Sequence, residues 1–179
     1  MTTLYSIGHS NRGLGDFLTL LTGNGIEALA DIRQFTRSRA NPQFNAETFA
    51  AALADNGIAY EHIAPLGGRR SSRLADSPNG LWEHPAFRSY ADYAMTEAFE
   101  SGLVRLLELA SEKRTAIMCA EAVWWRCHRR IVSDYLLARG DNVLHILSDA
   151  EPKPATPTPG AVVRDDGKVV YPPEQPTLL

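Results

Sequence analysis

Four short polar motifs carry the residues best suited to chemistry: Gly8-His9-Ser10, Asp31-Ile32-Arg33, His62, and the run from Cys119 to Arg130. The last is the densest. Cys119 is a candidate nucleophile, because a thiol near arginines and a helix N-terminus gains thiolate character. The alternative is a buried cysteine acting as a small apolar group at a strand end. Cys127 carries the same two readings. Glu121 suits general acid or base work, or a clamp on a substrate donor, where a crevice desolvates it or arginine pairs with it. Its competing reading is an ion pair with Arg126 or Arg129. Asp31 and His128 are the other candidate proton carriers, and His128 and Arg129, in a first helical turn, would face a ligand held at that helix end.

Arginine supplies the second theme. Arg33, Arg37, Arg39, Arg69, Arg70 and Arg73 crowd one stretch, and Arg126, Arg129 and Arg130 another. A guanidinium is a planar fork of donors suited to carboxylate or phosphate. The segments Arg37-Ser38-Arg39-Ala40-Asn41-Pro42 and Leu66-Gly67-Gly68-Arg69-Arg70 combine turn residues, amides and guanidinium groups, as an anion-holding loop requires. Neither is a P-loop, since no lysine followed by serine or threonine comes after the glycines. Trp82, Phe87, Tyr90, Trp124 and Trp125 suit either stacking on a base or packing in the core. His9, His62, Cys119, Cys127 and His128 are ligand types for zinc or iron. Seven residues separate the cysteines, however, unlike a zinc knuckle, so no metal or other cofactor is expected.

These motifs fall at the ends of predicted strands. Leu4–Ile7 is a short apolar run ended by Gly8-His9-Ser10, and Leu14, Phe17, Leu18 and Leu21 then recur at helical spacing. Glu27–Ile32 reads as a second strand, Asn45 as the cap of a helix stopped by Asn56-Gly57, and Ile58–Ile63 as a third strand. Pro65–Pro85 is long enough to be a functional loop. Helical spacing returns from about Phe87 to Met95 and from Thr96 to Leu109, as two helices or one kinked. Thr115–Met118 is a fourth strand, Ile131–Ala138 a helix closed by Gly140, and Asn142–Leu147 a fifth strand. Strands alternating with helices imply a three-layer α/β domain with a mainly parallel sheet of about five strands. In such a sheet the carboxyl ends face one crevice, where His9, Ser10, Arg33, His62, Cys119 and Glu121 would meet.

The chain of 179 residues and net charge -3 has the composition of a globular protein, and its length favours one domain. Residues 1–148 are expected to form that domain, with 149–179 a proline-rich extension. Within the extension, Ala161–Arg164 and Lys168–Tyr171 flank Asp165-Asp166-Gly167, a hairpin turn that would fold back on the domain. There is no internal repeat, no stretch of about 20 apolar residues and no secretory leader pattern, so no membrane partner and a cytoplasmic location are expected. Two cysteines are too few for a secreted disulfide scaffold. The net charge argues against coating nucleic acid by charge alone.

In order along the chain stand Ile7-Gly8-His9-Ser10, Asp31-Ile32-Arg33, Ser38-Arg39 with Pro42 and Phe44, Tyr60 with His62, Leu66-Gly67-Gly68-Arg69, Tyr90, and Cys119-Ala120-Glu121 with Cys127-His128-Arg129. This set, from about Leu4 to Leu147, resembles the family called domain of unknown function 488. Trp124 departs from it, standing where a proline would precede the Trp-Arg-Cys-His-Arg run. A fainter likeness is to rhodanese-like domains, in which an aspartate-valine-arginine strand end precedes a cysteine loop that enters a helix. The loop here carries Glu121, Trp124 and Trp125 and no glycine. The resemblances imply a Rossmann-like or rhodanese-like fold, and a site in which His9, Ser10, Arg33, Arg37, Arg39, Tyr60, His62, Arg69, Tyr90, Cys127 and Arg129 bind substrate. Glu121, Asp31, His128 and Cys119 would supply the chemistry.

The function expected first is an enzyme, hydrolase-like or glycosylase-like, acting on an anionic partner: a phosphate-bearing nucleoside, nucleotide or nucleic acid, as in base processing or DNA repair. The alternatives are a rhodanese-like thiol enzyme using Cys119 and a noncatalytic module that binds nucleic acid or another anion.

Overall fold

The computed structural model describes residues 1–71 and 73–174. A strand covered on both faces reads as an unbroken apolar run, and three central strands meet that condition. They are β1 (Thr3–Gly8), β2 (Ala28–Asp31) and β4 (Thr115–Cys119), buried over nearly their whole length. β3 (Ala59–His62), more exposed, lies at one edge, and β5 (Asn142–Ile146) lies beyond β1. The order is β3-β2-β4-β1-β5-β6, with the first five parallel. The sixth strand, β6 (Lys153–Pro154), runs antiparallel to β5 and exceeds the five expected. It comes from the proline-rich segment, which the edge tolerates because an edge residue has no second neighbour to bond.

Alternate strand residues feed two cores. Tyr5, Ile7, Leu29, Ala116 and Met118 pack with Phe17 and Leu21 of α1 (Leu14–Gly23) and Phe49 and Leu53 of α2 (Ala46–Asp55). Leu4, Ala28, Ala30 and Ile117 face the other way. They meet Tyr90 of α3 (Pro85–Ala94), Phe99, Leu103 and Leu106 of α4 (Glu97–Glu112), and Ile131, Val132 and Leu136 of α5 (Arg129–Ala138). The arrangement is three-layered α/β. Neighbouring strands β1 and β4 therefore send their chains to opposite faces, β1 into α1 and β4 into α5. That divergence opens a crevice at the carboxyl ends of the sheet.

Some local expectations change. Asn45 sits at the N-cap of α2, but its side chain accepts from the Ser38 amide at 2.7 Å and leaves the helix uncapped. The spacing from Phe87 to Leu109 resolves into two helices, with Thr96 accepting from the Phe99 amide to start the second. The long loop before α3 is pinned by buried Asp92, which accepts from the Leu74 amide, the Ser77 hydroxyl and the Asn79 side-chain amide.

The hairpin forms as β7 (Val162–Val163) and β8 (Val169–Val170), turning at Gly167 with φ +79°. It also adds to the core. Val169, Val170 and Tyr171 are buried, and the Tyr171 hydroxyl donates to Asp134 of α5 at 2.7 Å.

Candidate functional site

The strand ends are in register: Gly8 pairs with Cys119, and Asp31 with both Met118 and His62. Above them opens a cleft of about 1010 Å³. His9, Ser10, Arg33, Cys119, Glu121, Cys127 and His128 line it, together with Arg37, Arg69, Arg126 and the aromatic rings of Phe35, Phe87 and Trp125.

One wall is a closed network around Asp31. This fully buried carboxylate accepts from Arg33 Nε at 2.9 Å, Arg33 Nη2 at 2.6 Å, the Arg33 amide at 3.0 Å and the Tyr60 hydroxyl at 2.7 Å. Arg33 Nη2 also donates to the Phe44 carbonyl, and Nη1 to His9 Nε2 at 3.3 Å. His9 Nδ1 donates to the Ser10 carbonyl at 2.8 Å. A carbonyl only accepts and a guanidinium only donates, so the His9 ring is neutral with its proton on Nδ1. Burial, followed by the charge of Arg33, accordingly holds its pKa below the ordinary histidine value. The ring stacks on Phe44 with centroids 4.4 Å apart.

The other wall holds the thiols. Cys119 Sγ lies 2.6 Å from Cys127 Sγ, which also accepts from the Arg129 amide at 3.4 Å and touches His128 Nδ1 at 3.4 Å. His128 Nε2 donates to the Ile32 carbonyl at 2.7 Å, leaving Nδ1 to exchange a proton with Cys127. Gly68 makes room for this ring, since a Cβ there would sit 2.8 Å from Nδ1. Burial, then the neighbouring thiol, pushes Cys119 well above the usual thiol range. Burial opposes the Cys127 thiolate too. It is outweighed there by the hydrogen bond from Cys119 and by His128 and Arg129, which hold Cys127 well below that range. Of the two thiols, Cys127 is therefore the one whose thiolate its surroundings favour.

Arg129 fixes the loop between the two cysteines. Fully buried, it donates from Nη2 to the carbonyl of Glu121 at 2.6 Å and of Ala122 at 3.4 Å, and from Nη1 to Ser6 Oγ at 3.1 Å. Ser6 in turn contacts His145 Nδ1 at 3.0 Å. Trp124, the departure noted in the motif, stacks on His145 with centroids 4.4 Å apart. Gly8 lets this loop close over β1, because a Cβ on it would collide with the Glu121 carbonyl.

The family model described as Domain of unknown function DUF488 matches residues 13–136, more than half of the chain. The chain belongs to the DUF488 family. Searches of curated proteins and of solved structures each returned no match.

Within this DUF488 domain, several residues expected to bind substrate, and Asp31, expected to supply chemistry, stand outside the cleft. Asp31 is saturated behind Arg33 and does not line the cleft. Tyr60 and His62 also stand outside it; they brace the network from β3, Tyr60 on Asp31 and His62 Nε2 on the Arg33 carbonyl at 2.8 Å. Tyr90 is a core residue whose hydroxyl donates to the Leu66 carbonyl. Arg129 is a loop anchor, and Arg39 is exposed outside the cleft.

The two anion-loop candidates use some of their amides internally. Ser38 and Asn41 donate to Asn45 and Ser38 side chains, and the Gly67 amide donates to the Ala64 carbonyl. Arg70 turns back onto the Ala64 and Gly67 carbonyls and the Tyr93 ring. Among the described residues, no three His, Cys, Asp or Glu side chains gather as a metal site requires, and no helix is long and apolar enough to cross a membrane.

Ser10 and Arg69 are the two described non-glycine residues with positive φ, +50° and +56°, and both line the cleft. Such backbone costs about 1–3 kcal/mol per residue and clusters at ligand sites. Ser6 and His145, which support the loop from beneath, went unmarked in the sequence because buried strand residues look like ordinary core.

Proposed function

We propose that the protein is an enzyme acting on a phosphate-bearing nucleoside, nucleotide or nucleic acid bound in this cleft. The observation that carries the reading is the character of the lining. Arg69 and Arg126 face the cleft without an ion-pair partner among the described residues, and Glu121 is the one carboxylate among the lining side chains. Phosphate would lie against the two guanidinium groups, while exposed Phe35 and Trp125 offer faces on which a base can stack. Glu121, exposed and lining the same cleft as Arg126, is the group that would give or take a proton at the reacting centre.

The test is a binding and turnover screen with nucleoside monophosphates and with single-stranded and double-stranded DNA and RNA oligonucleotides, including modified bases. Binding should weaken steeply with salt. Arg126→Ala should lower both affinity and the salt slope. Glu121→Gln should keep most of the affinity and lower turnover about 100-fold or more. Salt-sensitive binding without turnover of any probe would support the noncatalytic module instead, and absence of binding would remove the reading.

A further inference from the structure

We propose that Cys127 and Cys119 form a nucleophile and resolving-thiol pair that reduces a small hydroperoxide and closes to a reversible disulfide. This is an activity distinct from turnover of a phosphate-bearing ligand. Three observations converge on it. The two sulfurs face each other at 2.6 Å, only about 0.6 Å beyond a disulfide bond of about 2.05 Å. Both line the cleft, yet they are 2% and 5% exposed, so the oxidant that reaches them is small.

The third observation is the charge of Arg129. A buried guanidinium needs an anion, and Arg129 bonds only to neutral oxygens of Ser6, Glu121 and Ala122, with no carboxylate partner among the described residues. The groups beside it that can become anionic are the thiols. Cys127 is the better thiolate of the two: it accepts the Arg129 amide at the start of α5, and His128 Nδ1 stands ready to take its proton. Cys119, whose remaining contact is the Glu121 carbonyl at 3.7 Å, stays protonated and supplies the second thiol.

In the first step Cys127 Sγ attacks the distal oxygen of the hydroperoxide. The O–O bond breaks, and the leaving alkoxide or hydroxide takes the proton that His128 received from Cys127. Cys127 is then a sulfenic acid. In the second step Cys119 Sγ attacks the Cys127 sulfur, the S–O bond breaks, and hydroxide leaves with the Cys119 proton as water. One hydroperoxide is reduced to an alcohol or, from hydrogen peroxide, to water, one further molecule of water leaves in the second step, and two thiols become one disulfide. An external dithiol restores the reduced pair. The disulfide would clamp the loop carrying Glu121, Trp125 and Arg126 at both ends.

The experiment uses the full chain, reduced, freed of reductant and treated with an equal concentration of hydrogen peroxide. Wild type should lose both thiols to an intramolecular disulfide, reversed by dithiothreitol, at least about 10-fold faster than the same chain unfolded in urea. Cys119→Ser should stop at a sulfenic acid on Cys127 that dimedone traps, and folded Cys127→Ser should take no dimedone label. The proposal is overturned by thiols that oxidise no faster in the folded than in the unfolded chain, by a disulfide-linked dimer, or by dimedone label on Cys119 of Cys127→Ser. The first comparison needs only wild type and therefore decides even where a variant does not fold. No readout involves nucleotide binding, so failure here leaves the phosphate-bearing ligand reading intact.

Discussion

Acid should undo the support beneath the site, and His145 sets the size of the effect. This ring is 1% exposed, sandwiched by Trp124, and bonded through Ser6 to the charged Arg129. Burial, and then repulsion from Arg129, pushes its pKa down to about 4, against about 6.5 in an unfolded chain. Between those values the unfolded chain binds the proton and the folded chain does not. The stabilisation from the neutral ring is thus complete above about pH 6.5 and lost as pH falls towards about 4. At about 1.4 kcal/mol per pH decade the loss is about 3 kcal/mol, or roughly 6–12 °C in Tm for a chain of this size.

Urea unfolding of wild type and His145→Asn across pH 7 to pH 4 measures it. Asn is chosen because its Oδ1 can accept the Ser6 hydroxyl as Nδ1 does. Carboxylates and His9 titrate in both proteins and largely cancel, so wild type should lose about 3 kcal/mol more than the variant over that range. Parallel stability curves would refute the account of His145.

Gly68→Ala should displace the His128 ring, because the new Cβ would sit 2.8 Å from Nδ1 while Nε2 is held by the Ile32 carbonyl. The expected cost is about 1–3 kcal/mol by urea midpoint, with slower alkylation of Cys127 in the native protein. Tyr171→Phe removes the hydroxyl that donates to buried Asp134 and should cost about 1–2 kcal/mol in thermal unfolding; an unchanged Tm would mean the hairpin contributes little to the core.

The sheet was legible because its strands are short apolar runs closed by glycine or polar residues, as at Ile7-Gly8, and because Gly57 and Gly140 take the positive φ that ends a helix. The start of α5 was legible from the Cys127-His128-Arg129 run and not from apolar spacing. Its first buried residue is Arg129, an arginine at a core position, so apolar spacing begins only at Ile131. Tyr171 and Val169 were read as part of an extension because proline-rich composition conceals two buried strand residues and a tyrosine whose partner, Asp134, lies far back in sequence. The convergence of His9, Arg33, Glu121 and His128 followed from strand ends. That Asp31, Tyr60 and His62 stand outside the cleft did not, since it depends on the network they form with Arg33 across separate elements.

Arginine content is where sequence and structure differ most in what they imply. The guanidinium groups gathered in two stretches suggest a strongly positive site, but several are committed by their neighbours. Arg33 is cancelled by Asp31, Arg37 pairs with Glu47, Arg70 serves carbonyls, and Arg130 lies over Trp82 and bonds Thr158. Arg69, which lies over the Phe35 ring at 5.9 Å, and Arg126 line the cleft without an ion-pair partner among the described residues. Arg129 remains too, but with its charge inside the protein, where a carboxylate would be expected and two thiols stand instead. An arginine placed to hold substrate would be exposed and paired with nothing until ligand arrives; one placed to stabilise a thiolate would be buried beside sulfur and bonded only to neutral oxygens. Arg129 matches the second description. Under the two proposals the chemistry of the Cys-His-Arg motif would be that of sulfur, and the grip on phosphate would fall to residues outside it.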